Sequence, residues 1–176
     1  MAEKYKLSNN ESHQLTVEAI IKAFEILSEK KGVSEISVTE LCQKAGVSRA
    51  GFYLNYKSVE DVMHEVMQKK AEDFFSEVYD HYDPTAEGDF WTPVIEYFLK
   101  NEAFWTSIIR SHEEVYLIDL LNKQYEKYVL PHVAMNRLQF YFWVSGFFMM
   151  LRQWLINGKK EPIDELVAVL SPPKEE

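Results

Sequence analysis

Ser37-Val38-Thr39-Glu40-Leu41-Cys42-Gln43-Lys44-Ala45-Gly46-Val47-Ser48-Arg49-Ala50-Gly51-Phe52-Tyr53-Leu54-Asn55-Tyr56-Lys57-Ser58-Val59-Glu60-Asp61-Val62 spells two short helices, a tight turn between them and the start of a third. Ser37 and Glu40 have the spacing of a capping box, in which a hydroxyl and a carboxylate each take one free backbone amide. The spacing predicts a helix over Val38 to Ala45. Gly46 stops it, because glycine adopts the left-handed backbone of a helix end at little cost. Ser48 can cap a second helix from Arg49 to about Tyr56, and Ser58 with Asp61 can cap a third. Leu41, Val47 and Phe52 can share one small core, with Cys42 where the helices approach. Ahead of them, Ile20, Phe24 and Leu27 recur at helical spacing, and Ile21 widens the stripe.

A helix-turn-helix offers its second helix to the major groove. Here that helix opens with Arg49, Ala50 and Gly51. Arg49 can bind guanine at two points through its planar fork. Tyr53, Asn55 and Lys57 supply a hydroxyl, an amide and an ammonium suited to phosphates. A glycine inside a helix costs about 1 kcal/mol relative to alanine, which a helix built to approach DNA closely could tolerate. Ser37, Ser48 and Leu54 complete the set expected at the nucleic-acid face.

The run Ala45-Gly46-Val47-Ser48, then Phe52-Tyr53, Tyr56-Lys57-Ser58 and Glu60-Asp61-Val62, resembles the DNA-binding domain of the TetR family of bacterial transcriptional regulators. Phe24, Lys31-Gly32 and Ser37-Val38-Thr39 fit the same pattern, and the resemblance covers roughly residues 12 to 66. It implies base contacts at Arg49, Ala50 and Gly51, backbone contacts at Tyr53, Asn55 and Lys57, and a further contact at Thr39. Two positions depart from the pattern. Val59 stands where the family commonly has a phosphate-gripping lysine, and Asn55 replaces a more usual histidine or tyrosine. The resemblance further implies an effector-responsive repressor that binds a pseudo-palindromic double-stranded operator as a homodimer. The expected architecture is all-α. A three-helix helix-turn-helix domain occupies residues 1–57, and a helical ligand-binding and dimerisation domain occupies residues 58–176, with 58–82 as a connecting helix.

Composition bounds these expectations. A chain of 176 residues can bury a real core. Its polar N-terminus does not read as a secretion signal, and its single cysteine suits a reducing cytoplasm. His13, His64, His81, His112 and His132 are scattered, so no metal site or cofactor is expected. Residues 1–70 hold 10 basic and 10 acidic side chains, whereas residues 71–176 hold 9 and 18, giving 9 − 18 = −9, which is the whole net charge. Long-range steering toward DNA is therefore poor, and a positive face must be local.

No strand is expected. A long helix should run from Ser58 to about Tyr82, followed by a breaker-rich loop over 83–89. Thr92 should cap a helix over Val94–Lys100, and another should cover Glu102 to Arg110. Ser111 and Glu114 have capping-box spacing and should open a helix to about Val129, ended by Pro131. A further helix spans about Met135 to Asn157, with Gly158 as its stop. Pro162 starts a last one that fades at Ser171-Pro172-Pro173.

The helix from Met135 is apolar around nearly its whole circumference. Its run from Phe140 to Leu151 covers 12 residues between Arg137 and Arg152, short of the roughly 20 that a membrane span needs. A helix apolar all round must be covered on all sides. The core of a monomer could cover it, or its own core on one face and a second subunit on the other; a single small domain struggles to surround such a helix, so the second arrangement is expected. Tyr141, Ser145, Gly146, Phe148, Met149 and Arg152 are expected on that face, Ser145 and Gly146 allowing close approach. Trp91, Tyr97, Phe98, Trp105, Tyr116, Phe142 and Trp143 are candidates to line a pocket, although packing is the plainer role at any one of them. An effector site there is what the resemblance implies.

Two rivals have a sequence feature behind them. The same fold could act as a co-regulator through protein contact without its own operator, which suits Val59 and the neutral N-terminal part. A small helical enzyme would have to use Cys42 and His64, with no third orienting group in evidence.

Overall fold

The structure, a computed structural model, describes residues 9–79, 91–128 and 136–170. The expected loop at 83–89, the helix ends at Tyr82, Val129, Pro131 and Met135, and the fade at Ser171-Pro172-Pro173 lie outside them. The described residues form nine α-helices and no strand: α1 (Asn9–Ser28), α2 (Val38–Ala45), α3 (Arg49–Tyr53), α4 (Val59–Phe74), α5 (Trp91–Lys100), α6 (Glu102–Ser111), α7 (Glu114–Tyr128), α8 (Arg137–Ile156) and α9 (Ile163–Leu170). A 3₁₀ turn, Val33–Glu35, precedes α2, and a π-helical turn, Phe75–Tyr79, continues α4. The chain divides into two compact units between Val66 and Met67, inside α4 and not at the turn before it.

The first unit holds α1 to α3 and the start of α4. Ile20, Phe24, Leu41, Phe52, Val62 and Met63 are each fully buried and form its core. Val47 and Leu27 are only half-buried, so they border this core and do not fill it. Val59 is buried at 5% exposure.

The second unit centres on Phe98. Its ring lies 4.8 Å from Trp105, 5.3 Å from Phe148, 5.4 Å from Phe147 and 6.0 Å from Phe74. Helices α7 and α8 are joined by the stacked rings of Tyr125 and Phe140, 3.5 Å apart, and by an Arg152–Glu114 ion pair at 2.9 Å. Lys70 holds the corner between α5 and α6: its Nζ donates to Asn101 Oδ1 at 2.8 Å, and its carbonyl accepts from Tyr97 OH at 2.6 Å.

Several helix boundaries differ from expectation for local reasons. Helix α5 already includes Trp91 to Pro93, since a proline in the first turn has no amide to lose. The Ser111–Glu114 box does not form. Ser111 ends α6 and its hydroxyl bonds back to Ser107 O at 2.9 Å, while Glu114 takes Arg152. A capping box forms instead at Asn136 and Gln139, ahead of α8.

Candidate nucleic-acid interface

Helices α2 and α3 are built from their ends. The Ser37 hydroxyl accepts from Glu40 N at 3.2 Å, while the Glu40 carboxylate binds Lys31 Nζ at 2.6 Å across to the end of α1. Half of the expected box therefore becomes a tie between two helices. Gly46 takes φ +68°, and the following Val47 N donates back to Cys42 O at 3.0 Å, which turns the chain sharply into α3. The Ser48 hydroxyl accepts from Gly51 N at 3.0 Å and starts α3.

Helix α3 stops at Tyr53, short of the expected Tyr56. The amide nitrogen of Asn55 donates to Gly51 O at 2.8 Å, and the Asn55 backbone N–H goes to Phe52 O at 2.9 Å. A side chain thus fills the acceptor that the next helical turn would have used. Asn55 is half-buried and turned inward, whereas it was expected on phosphates. Gly51 also has an internal reason for its lack of a side chain. A Cβ there would sit 3.3 Å from the capping Ser48 Oγ.

Around this frame Arg49, Ala50, Tyr53, Leu54 and Lys57 are exposed, as are Ser37, Thr39 and Ser48. Leu54 is 84% exposed, a large apolar side chain placed outward beside Tyr53. The Arg49 guanidinium lies 5.9 Å from the Tyr53 ring centroid, so the cation and the ring form one surface feature. Neither Arg49 nor Lys57 takes part in an ion pair among the described residues. Lys44, in the last turn of α2, is a further exposed cation that the sequence reading passed over. Val59 stands inside the core, so that position supplies packing where a lysine would supply charge.

The next helix is fixed with equal care. Ser58 Oγ accepts from Asp61 N at 3.2 Å, and Asp61 Oδ2 accepts from Lys57 N at 2.8 Å. Buried Tyr56 donates to Glu65 at 2.8 Å. Burial first, then that hydrogen bond and the Glu65 charge, push its phenol well above the ordinary tyrosine value. Cys42 is buried at 4% exposure, and burial raises its thiol despite the Arg49 charge, which makes it a poor nucleophile.

In the second unit the structure brings together some of the expected pocket aromatics. Tyr97, Phe98 and Trp105 are buried in one cluster, and Trp91 stacks on Phe147 at 5.5 Å. Tyr116 is half-buried on α7. Phe142 is 73% exposed and Trp143 36%, its ring 6.4 Å from that of Trp91. Phe142 therefore faces outward and lines nothing within its own unit. Sequence reasoning missed four buried polar atoms with no hydrogen-bond partner: Trp105 Nε1, Ser107 Oγ, Asn122 Oδ1 and Gln124 Oε1. No pattern in the sequence marks them.

Among the described residues, no helix is long and apolar enough to cross a membrane. No protein-family model matches the chain, and no curated protein matches it. Solved structures do share its fold. One is a TetR transcriptional regulator from Streptococcus agalactiae 2603V, 22% identical, with 92% of this chain and 94% of that one covered at a TM-score of 0.65. Another is the dihydroxyacetone kinase operon activator DhaS, 20% identical, with 88% and 91% covered at 0.53. A third is NalD, the secondary repressor of the MexAB-OprM multidrug efflux pump in Pseudomonas aeruginosa, 17% identical, with 91% and 94% covered at 0.59.

Proposed function

From a chain with the fold of TetR transcriptional regulators, we propose a homodimeric, sequence-specific DNA-binding regulator acting in the cytoplasm. The observation that carries the proposal is the exposed surface of α3. Arg49, Ala50 and Tyr53 face outward on a capped, rigidly seated helix, and Arg49 has no competing carboxylate among the described residues. Arg49 reads guanine in the major groove, while Tyr53, Lys57 and Thr39 hold phosphates. Asn55 supports the fold of the reader from within. Two such helices on a two-fold dimer would meet half-sites about 34 Å apart.

The second unit takes the effector. The buried, unpartnered polar atoms of Trp105, Ser107, Asn122 and Gln124 favour a ligand carrying hydrogen-bonding groups as well as apolar surface. Such a ligand regulates only through its difference in affinity for the DNA-bound and free states. In this reading the protein represses and effector binding releases the operator, a sign that rests on the resemblance and not on the geometry. The test is selection of bound sequences from random DNA. An inverted repeat with a fixed half-site spacing is expected, and enrichment of no sequence at low salt would overturn the proposal. A reporter behind the selected operator reads the sign: expression rising on deletion of the regulator is repression, and expression falling would reverse it.

A further inference from the structure

Two parallel pairs of side chains stand on the exposed face of α3. Arg49 and Tyr53, four residues apart, bring guanidinium and ring centroid to 5.9 Å. Ala50 and Leu54, also four apart, form the second pair. The Leu54 N–H donates to Ala50 O at 3.1 Å, and Leu54 keeps helical backbone angles, φ −72° and ψ −21°. Both residues are exposed. Residues four apart share one helix face, so an apolar strip one turn long runs beside the polar one.

Leu54 is 84% exposed, more than any other large apolar side chain among the described residues. The core of the first unit is supplied instead by Phe52 and Tyr56, both buried, on either side of it in the chain. Its neighbours on this surface, Ser37, Thr39, Ser48, Tyr53 and Lys57, each carry a group that can donate to a phosphate oxygen. Leucine carries none. In the major groove the apolar feature of the base code is the C5 methyl group of thymine.

We propose that Leu54 is a specificity-determining residue that packs against a thymine C5 methyl group, flanked by Ala50, in the same half-site as the guanine bound by Arg49. This rests on the DNA-binding reading above and assigns a residue which that reading leaves without a role. The two side chains discriminate by different physics. Arg49 selects through two hydrogen bonds, whereas Leu54 selects by apolar burial and exclusion. A cytosine in place of the thymine would lack the methyl group and present an amino donor. Leu54 would strip water from that donor and offer it no acceptor, so the wrong base is penalised as well as the right one favoured. Packing on a deoxyribose sugar, the other apolar contact that DNA offers, would be blind to sequence.

The test uses the full chain and the operator selected from random DNA. Each thymine of one half-site is replaced in turn by deoxyuridine, which pairs identically and lacks only the methyl group. At one position the wild type should bind about fourfold more weakly, the worth of one buried methyl group. Leu54→Ala should bind the thymine and deoxyuridine forms of that operator equally, and should melt with the wild type. If deoxyuridine is tolerated at every position, or if Leu54→Ala still senses the same methyl group, the assignment is overturned and the DNA-binding reading stands. If Leu54→Ala weakens every operator alike, the side chain lies on the sugars and the assignment is again overturned. Enrichment of no sequence at low salt overturns the DNA-binding reading, and this inference with it.

Discussion

The side-chain amide of Asn55 donates to the carbonyl of Gly51 at 2.8 Å and closes α3 after Tyr53. A polar side chain one residue beyond an exposed Leu54 is therefore structural, and Lys57 is left as the cation of this segment. Lys57→Ala should lower the slope of log affinity against log salt by about 1. Asn55→Ala should leave the slope unchanged and reduce stability by about 1 kcal/mol, the net value of one hydrogen bond. Fluorescence anisotropy across a salt series separates the two. Equal loss of slope in both variants would return Asn55 to the phosphate backbone.

Arg49 and Tyr53 share one surface, 5.9 Å from guanidinium to ring, and their substitutions should fail differently. Arg49→Ala is predicted to relax sequence preference at one base of each half-site by about 1–3 kcal/mol. Tyr53→Phe is predicted to weaken all sequences alike. Competition binding with single-base operator variants checks this, and an unchanged preference in Arg49→Ala removes its base-reading role.

The Ser48 hydroxyl and Gly51 are coupled through a contact that a Cβ would make at 3.3 Å. Ser48→Ala should cost about 1 kcal/mol as a lost cap. Gly51→Ala should gain helix propensity, up to about 1 kcal/mol, but less when Ser48 is present than when it is alanine. A double-mutant cycle by urea unfolding measures the difference. Strict additivity would mean that the cap and the glycine are independent.

Tyr56 titrates above the ordinary tyrosine value because burial and Glu65 favour its neutral form. A group raised on folding contributes stability that is complete below its unfolded value, about 10 for tyrosine, and lost as pH rises through the folded one. The first unit should therefore weaken above about pH 10. Tyr56→Phe should be less stable at neutral pH and flatter in this alkaline range. Thermal melts from pH 8 to 11 decide it, and an equally steep alkaline loss in the variant assigns the effect elsewhere.

Phe98 touches rings from four directions, with Trp105 nearest at 4.8 Å. Phe98→Ala should destabilise the second unit by about 3–5 kcal/mol. Near-ultraviolet dichroism of its tryptophans should show the loss, and an unchanged spectrum and melt would argue against a single aromatic core.

What the sequence disclosed follows from the range of the interaction. Ser37, Gly46 and Ser48 act on amides within a few residues, so both ends of α2 and the start of α3 were legible. The Ser111–Glu114 box failed because Arg152, 38 positions along the chain, takes the carboxylate. The end of α3 depended on whether the Asn55 amide turned inward or outward, which residue type does not fix. On α8 nearly every position is apolar, so no polar stripe set the phase of the helix. Phe142 and Phe148 were indistinguishable until one was found exposed and the other covered. Val59 could be read as a missing lysine but not as a core residue.

The division between the two units falls within α4, and this limits how the protein can be taken apart. Val59, Val62 and Met63 are buried residues that arrive with α4. A fragment ended at Lys57 would discard them and expose Phe52 and Leu41 to water. The smallest portable form of the first unit ends beyond Val66, partway along a helix. Grafting it onto another domain therefore means splicing helix to helix in phase, where an insertion of one residue would rotate everything downstream by about 100°. A fold joined this way can exchange its second unit only through recombinants that keep the helical phase.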